Sequence, residues 1–387
     1  MGCAMTLRST YSDPSGLQYR LRAASALLGI TDNTTKRYLE ESNIQVRRAN
    51  DDGTKSVAVR LFDPDTLFQI AQWRREKNLL KTPQNGPYVI TVDIVKGGTG
   101  KTTTAAEITL HLQLAGLRVL AIDLDVQANL TQYMGYEADL TEKDLASYGL
   151  NLDAIVGQTF AHVVCPFLNR APGESVGSLI KMPFGKNGPH LIAADANLGD
   201  IEFALSTAKG SREMALDKLL NLAKTGQLPG FDTSKYDVIV FDCPPNVSMT
   251  STAALAAADI VVAPVRLDAF AVKGLSRVIE ELKLLRETYK DAIHSELVIL
   301  ATHFAAQLSR IQRMNQALQQ YEKQVAPVSI SVSEEFPKSL ERYIPMSLQK
   351  PLSQASNEYK LFTDHLIKRL IAIEEKRSQP DQKGAPS

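Results

Sequence analysis

One glycine-rich segment constrains this chain more than any other feature. Residues 89–104 have the sequence Val-Ile-Thr-Val-Asp-Ile-Val-Lys-Gly-Gly-Thr-Gly-Lys-Thr-Thr-Thr, an apolar run followed by a loop and a helical pattern. Glycines let backbone N–H groups approach phosphate oxygens, and the first amides of a helix add partial positive charge. Lys101 adds a full positive charge, and the hydroxyl of Thr102 can bind Mg²⁺. The segment therefore predicts a loop that binds a nucleoside triphosphate.

The spacing of this loop departs from the common G-x-x-x-x-G-K-[ST] pattern. Val95 occupies the position of the first glycine, and an additional lysine, Lys96, follows it. The sequence Lys-Gly-Gly-x-Gly-Lys-Thr-Thr resembles the deviant Walker A loop of the ParA/MinD group of P-loop ATPases. The resemblance implies ATP or ADP and Mg²⁺ as cofactors. It also implies a set of nucleotide-binding residues: Lys96, Gly97, Gly98, Thr99, Gly100, Lys101, Thr102 and Thr103.

The composition is that of an ordinary globular protein of 387 residues. Of these, 44% are hydrophobic and 22% are charged, and 43 Lys and Arg balance 43 Asp and Glu. Because the net charge is zero, any contact with nucleic acid must come from local basic patches. Three widely separated cysteines favour a reducing, cytoplasmic compartment over a disulfide framework. The sequence shows no signal peptide and no apolar run of the ~18 residues that a membrane helix needs.

From residue 88 onward, short apolar runs alternate with amphipathic helical stretches. This order predicts an α/β fold over residues 88–375, with a doubly wound, mainly parallel sheet between two layers of helices. The predicted strands are residues 88–95, 118–123, 190–194, 238–241, 260–265 and 297–302, with a weaker one at 325–332. The predicted helices are residues 102–115, 212–222, 272–289, 311–324 and 357–374.

Acidic residues follow two of these strands. Asp123 is the last residue of the second strand, Asp125 lies just beyond it, and Asp242 comes directly after the fourth strand. Ligands in such sheets bind beyond the carboxyl ends of the strands, so we expect these carboxylates to face the loop. Both stretches resemble signatures of the ParA group, the Asp-x-Asp-Pro-Gln box and the Walker B strand that ends in Asp-x-x-Pro. Val126 replaces the usual proline of the first box.

The resemblance assigns a role to each of these polar residues. Lys101 would bind the β- and γ-phosphates, and Thr102 would ligate Mg²⁺. Asp242 and Asp123 would hold the waters of the metal, and Asp125 would orient the attacking water.

Two further residues have roles on the same basis. Lys96 would reach the phosphates of a second subunit, which would couple catalysis to dimerisation. Thr302, at the end of a late strand, is the candidate for contact with the adenine.

A separate small unit precedes the α/β region. Residues 19–75 have the order helix, turn, helix, β-wing, helix, and they resemble a MerR-type winged helix-turn-helix domain. Residues 1–18 and 376–387 have the composition of flexible tails, and residues 76–87 have that of a linker. Residues 1–87 carry 13 Lys and Arg against 9 Asp and Glu, a net charge of +4.

The basic residues of this unit predict a DNA-binding surface. Thr34, Thr35, Lys36 and Arg37 lie on the predicted recognition helix, and Arg60 lies at the wing. The resemblance to the ParA group implies sequence-independent contact with DNA for three late arginines, Arg310, Arg313 and Arg342.

The whole chain resembles the long, plasmid-type ParA partition ATPases. That resemblance implies a weak, Mg²⁺-dependent ATPase of the nucleoid-associated cytoplasm whose ATP-bound homodimer binds nonspecific DNA. A ParB-type partner would stimulate hydrolysis, and the N-terminal unit would bind operator DNA and repress transcription. Two alternatives remain open: an ATPase that positions a protein cluster, and a MinD-like membrane ATPase with a C-terminal amphipathic helix.

Overall fold

A parallel sheet of six strands, flanked by helices, forms the centre of the computed structural model, which describes residues 7–49, 59–171, 177–266, 271–303 and 318–378. In chain order the strands are β1 (Arg47–Arg48), β2 (Arg60–Leu61), β3 (Tyr88–Val92), β4 (Val119–Asp123), β5 (His190–Ile192), β6 (Val238–Asp242), β7 (Ile260–Arg266) and β8 (Glu296–Thr302). The central sheet has the order β5-β4-β6-β3-β7-β8, and every neighbouring pair is parallel.

The described helices lie before, between and after these strands. They are α1 (Leu21–Leu28), α2 (Asp32–Ser42), α3 (Pro64–Glu76), α4 (Lys101–Leu114), α5 (Asn129–Tyr133), α6 (Leu145–Tyr148), α7 (Ala161–Phe167), α8 (Gly199–Ser206), α9 (Ala215–Lys224), α10 (Met249–Ala256), α11 (Ala271–Tyr289), α12 (Glu335–Glu341), α13 (Met346–Gln349) and α14 (Gln354–Ser378). Residues of β3, β4 and β6 are buried throughout, as expected for strands that helices cover on both faces.

The predicted α/β fold is confirmed, and three of its predicted elements need correction. The weak strand at 325–332 is wrong, because only isolated bridge residues form there, Val325, which pairs with Ile299, and Ser331. The helix predicted over 212–222 divides into a 3₁₀ turn (Arg212–Met214) and α9. Most of the helix predicted over 311–324 lies outside the described residues, and its described end is a 3₁₀ turn (Gln319–Tyr321).

The N-terminal unit has the predicted order of elements and packs against the α/β region. The antiparallel pair β1–β2 lies between α2 and α3, and Asp63 caps α3 by accepting from Thr66 N at 2.7 Å. Phe62 and Phe68 are fully buried in the same apolar cluster as α4 and β3. The hydroxyl of Tyr19 donates to Leu348 O at 2.8 Å. The unit therefore shares a core with the α/β region.

Polar contacts fix both ends of the predicted linker, residues 76–87. Arg75 and Arg118 both bond to the carboxylate of Asp237, which is nearly buried. Glu374, in α14, accepts from the backbone N–H groups of Gln84 and Asn85 at 2.9 and 2.7 Å.

The prediction of a flexible N-terminal tail is wrong for its described part, residues 7–18. Arg8 N donates to Gly149 O at 3.0 Å, and Ser12 N donates to Gly135 O at 3.2 Å. The ring of Tyr11 packs against those of Tyr148 and Tyr343, with centroids 5.4 and 4.9 Å apart. Aromatic packing and backbone hydrogen bonds therefore fix this segment to the α/β region. At the other end, residues 376–378 still belong to α14.

Candidate nucleotide site

The glycine-rich loop connects the carboxyl end of β3 to the first residue of α4. Gly98 and Gly100 have φ angles of +70° and +88°, a region that side chains with a Cβ rarely adopt. Gly97 and Gly98 are exposed. Because α4 begins at Lys101, the loop presents backbone N–H groups and the positive end of the helix dipole to the same space.

Lys101 lies folded against the loop. Its Nζ donates to the carbonyl oxygens of Lys96 at 2.8 Å and of Ile94 at 3.2 Å, and only 8% of the residue is exposed. Burial lowers its pKa, while the carboxylates of Asp242 and Asp93 oppose that shift. The ammonium group is therefore a buried positive charge at the entrance to α4, where phosphate oxygens would bind.

Two carboxylates stand side by side on neighbouring strands. Asp123 ends β4, Asp242 ends β6, and the two residues are direct partners in the register of the sheet. Asp123 accepts from Thr131 N at 2.9 Å, from Thr131 Oγ1 at 2.8 Å and from Asp125 N at 3.1 Å. Burial raises the pKa of Asp123 to about 7.

Asp242 differs from its neighbour because neither of its oxygens has a hydrogen-bond partner among the described residues. Burial and the charge of Asp123 hold the pKa of Asp242 well above its usual range. The nearby hydroxyl of Thr102 lowers the pKa of Asp242, although it makes no hydrogen bond of good geometry to this carboxylate. A buried carboxylate without a protein donor fits a position that faces a cation or its waters.

Asp125 lies in the loop after β4, at the same end of the sheet. It is 6% exposed, and its Oδ1 accepts from Gln127 N at 3.0 Å. The next residue, Val126, is 45% exposed, and α5 begins three residues later after Ala128, whose φ is +54°. The structure thus brings Asp125 to the predicted end of the sheet.

Thr302 contacts the glycine-rich loop, whereas the sequence predicted that it would contact the adenine. It is 2% exposed, and its hydroxyl donates to Thr99 O at 2.7 Å. The hydroxyl is therefore committed to the backbone of the loop. The next residue, His303, has a φ of +52° and a buried Nδ1 without a partner among the described residues. Sequence reasoning missed this histidine, whose only signal is its position at a strand end.

Sequence reasoning also missed Asp93, the residue after β3. It is 2% exposed, and its Oδ1 has no hydrogen-bond partner among the described residues. A carboxylate directly between an apolar strand and a phosphate-binding loop was the available signal.

The predicted DNA-binding residues of the N-terminal unit divide into exposed and buried ones. Lys36 and Arg37 are exposed on α2, and Arg37 pairs with Glu41 at 3.7 Å. Thr34 is half-buried, and its hydroxyl bonds to that of Thr31 at 2.8 Å. The predicted DNA contact of Thr35 is wrong, because this residue is fully buried and its hydroxyl bonds to Ser25 Oγ at 2.8 Å. Its hydroxyl ties α2 to α1 and does not face DNA.

The remaining predicted DNA contacts lie on other elements. Arg60 is half-buried on β2. Arg342 is exposed after α12, and its Nη1 donates to Gln349 Oε1 at 3.2 Å. Arg310 and Arg313 lie outside the described residues.

A model of the AAA domain family matches residues 88–295, more than half of the chain. The chain belongs to this family. Its AAA domain contains the glycine-rich loop and the four carboxylates described above, those of Asp93, Asp123, Asp125 and Asp242.

Curated relatives of this AAA domain chain include proteins of cell division and of sporulation. The cell division protein PomZ of Myxococcus xanthus is 28% identical over 278 residues, which cover 72% of this chain and 77% of PomZ. The sporulation initiation inhibitor protein Soj of Bacillus subtilis is 29% identical over 212 residues, which cover 55% of this chain and 71% of Soj.

Solved structures share the fold of this AAA domain chain. A structure described as a partition protein has a TM-score of 0.59 and 18% identity, and the match covers 94% of this chain and 93% of that one. A cobyrinic acid a,c-diamide synthase from Mycobacterium smegmatis, solved with an ATP analogue and magnesium, has a TM-score of 0.52 and 23% identity. The second match covers 74% of this chain and 97% of that one.

The closing helix α14 bears on the membrane alternative. Leu366, Leu370 and Ile373 are buried in the core that α14 shares with α4. Within the described ranges, no helix has both the length and the apolar character to cross a membrane. These three apolar residues of α14 therefore already have a packing partner in the folded chain.

Proposed function

We propose that this chain hydrolyses ATP with Mg²⁺ at the carboxyl ends of β3, β4 and β6. The observation that carries this proposal is the buried carboxylate of Asp242, which has no hydrogen-bond partner among the described residues and acts electrostatically on the buried ammonium group of Lys101 at the start of α4. A buried negative charge beside a phosphate-binding loop costs stability unless it serves a cation. The crystallised relative with an ATP analogue and magnesium supports the same ligands.

Each residue of the site has a role that its position supports. The amides of the loop and the ammonium group of Lys101 would bind the β- and γ-phosphates. Thr102, Asp242 and Asp123 would hold Mg²⁺, two of them through water, and the metal would neutralise charge on the phosphates. No three His, Cys, Asp or Glu side chains of the described residues cluster as a metal site, so phosphate and water must complete the shell.

Catalysis would depend on two further side chains. Asp125 would orient the attacking water, because its carboxylate lies in the loop after β4, at the same edge of the sheet. Lys96 would contact the phosphates of a second subunit across an ATP-dependent homodimer, so basal turnover would be weak.

Two variants test the chemistry. Lys101→Ala should abolish binding of an ATP analogue, measured by calorimetry, and turnover. Asp125→Ala should bind ATP with an affinity close to that of the wild type but hydrolyse it at least about a hundredfold more slowly. Wild-type turnover by Lys101→Ala would refute the site, and a large loss of affinity in Asp125→Ala with unchanged turnover would refute the role of Asp125.

We further propose that the ATPase cycle serves DNA partition in the cytoplasm. The ATP-bound dimer would bind nucleoid DNA without sequence preference, and a ParB-type partner would stimulate hydrolysis and release. The N-terminal unit would bind operator DNA and repress transcription, since Lys36 and Arg37 are exposed on its second helix. The 28% identity over 216 residues with the chromosome partitioning protein ParA of Caulobacter vibrioides supports this role, as does the fold shared with a partition protein over 94% of the chain.

A second candidate is an ATPase that positions a protein cluster, and the similarity to PomZ, whose name records cell division and not partition, favours a cargo other than DNA. A retention assay separates the two roles. An unstable plasmid should become stably inherited when it carries this gene with its flanking DNA, and Lys101→Ala should remove that stability. Equal loss of the plasmid with the wild type and with the variant would favour a protein cargo.

A further inference from the structure

A cationic groove lies among α7, α8 and α9, outside the residues assigned to the nucleotide site. Its volume is about 560 Å³, and four basic side chains line it: Arg170, Lys209, Arg212 and Lys218. These three helices flank β5 along the chain, and β5 is one edge of the sheet, whereas β8 forms the other edge. We call this surface the α7–α9 groove.

Most of this positive charge has no ion-pair partner among the described residues. No carboxylate of the described residues lies within ion-pair distance of Arg170, Lys209 or Lys218. Arg212 is the exception, with its Nε 3.6 Å from Glu213 Oε1. Glu213 is itself shared, because it accepts from the hydroxyl of Tyr289 at 2.7 Å. In a chain of zero net charge, this is a local excess of positive charge.

The ends of helices explain only part of the cluster. Arg170 follows α7 and Lys209 follows α8, where carbonyl groups at a helix end attract cations. Lys218 lies inside α9, on its exposed face, so a helix end does not account for it. The shared feature of the four residues is the groove itself.

The groove also offers apolar surface. Phe203 is 64% exposed at its margin, and the guanidinium of Arg170 lies 5.6 Å from the centroid of its ring. Phe167, Leu168 and Ala208 contribute to the lining between the charges. A duplex phosphate backbone would satisfy the charges and leave this apolar surface uncovered. A polypeptide with acidic and aromatic side chains would cover both.

We propose that the α7–α9 groove is a docking site for a partner protein segment that carries acidic together with aromatic or aliphatic side chains. The volume suits a few side chains of such a segment, since binding pockets of about 300–1,000 Å³ are typical for small ligands. The charges would steer the encounter, and Phe203 with the lining would supply apolar contact. The proposal does not depend on ATP hydrolysis.

The test uses the full-length protein without nucleotide and a fluorescent random copolymer of glutamate and tyrosine, with fluorescence anisotropy as the readout. Lys209→Glu with Lys218→Glu should weaken binding at least about tenfold. The control, Lys143→Glu with Lys283→Glu, makes the same change in net charge at exposed lysines outside the groove and should leave binding within about twofold. Lys209→Gln with Lys218→Gln should give an intermediate loss.

Phe203→Ala separates apolar docking from simple attraction between charges. It should weaken binding of the copolymer but leave binding of polyglutamate unchanged, and wild-type protein should prefer the copolymer. Equal affinity for the two polymers, or equal losses in the groove and control variants, would overturn the proposal. Loss of single-stranded or duplex DNA binding in the groove variants, with copolymer binding intact, would overturn it in favour of a nucleic-acid surface.

Discussion

The buried carboxylate of Asp93 should make the nucleotide-free protein less stable as pH rises. Burial raises its pKa to about 7 from an ordinary value of 3.8, while the charge of Lys101 opposes the shift and that of Glu281 adds to it. In the unfolded chain the group ionises near its ordinary value. The unfolded state therefore binds fewer protons than the folded state between these two values, so stability is lost as pH rises through this window.

The size of the effect follows from the two pKa values of Asp93. The difference between about 7 and 3.8 corresponds to about 4 kcal/mol of destabilisation at about pH 8. At about pH 5 the same relation gives about 2 kcal/mol, because the folded state is then still protonated. Asp93→Asn keeps the shape of the side chain and removes its charge. Relative to the wild type, the variant should gain about 2–3 kcal/mol more at about pH 8 than at about pH 5.

Urea unfolding followed by circular dichroism, without nucleotide, measures this difference at both pH values. The comparison with the wild type cancels the contributions of Glu107 and Asp123, whose pKa values burial also raises to about 7. Asp139→Asn makes the same substitution at an exposed position and is the matched control. A stability change in Asp93→Asn that is the same at both pH values, or a larger loss at the higher one, would refute the reasoning.

Four further predictions concern the loop, the dimer, the shared core and DNA. Thr302→Val removes the hydrogen bond to Thr99 O, so affinity for an ATP analogue should fall about fivefold while Thr302→Ser retains it, and equal affinities would contradict the supporting role. Lys96→Ala should weaken both hydrolysis and the ATP-dependent dimer seen by sedimentation, and an unchanged dimer with unchanged turnover would remove its role in trans. Phe62→Ala should lower the free energy of unfolding by about 3–5 kcal/mol and lower the temperature at which the α/β region unfolds, because Phe62 lies in the common core. Separate unfolding transitions of the N-terminal unit and the α/β region would argue against one core. Lys36→Ala with Arg37→Ala should abolish an operator footprint and spare salt-sensitive nonspecific binding, while Arg342→Ala should do the reverse, and losses of both activities in either variant would contradict two separate surfaces.

The sequence by itself determined the features that depend on neighbouring residues. Gly98 and Gly100 precede Lys101 because the loop needs positive φ angles before a helix start, and that requirement is visible in the order of residues. The apolar runs predicted all six strands of the central sheet to within a few residues, since a strand buried on both faces has an uninterrupted apolar sequence. The parallel arrangement followed from the alternation of strands and helices. It was therefore predictable that Asp123, Asp125 and Asp242 lie together at the carboxyl ends of the strands.

Only the tertiary structure decided which of these residues meet and which are accessible. The register of β4 against β6 places Asp123 beside Asp242, and no local pattern specifies that register. Thr35 lies next to Lys36 in the sequence, yet it faces α1 and its neighbour faces solvent, because the rotation of α2 is set by packing. Residues 7–18 look like a tail in composition, but Tyr11 finds aromatic partners far away in the chain. Tertiary contacts also bury Asp93 and group Arg170 with Lys209 and Lys218. Contacts between distant segments set the burial of a side chain, the clustering of charges and the pKa values, and no local sequence pattern specifies those contacts.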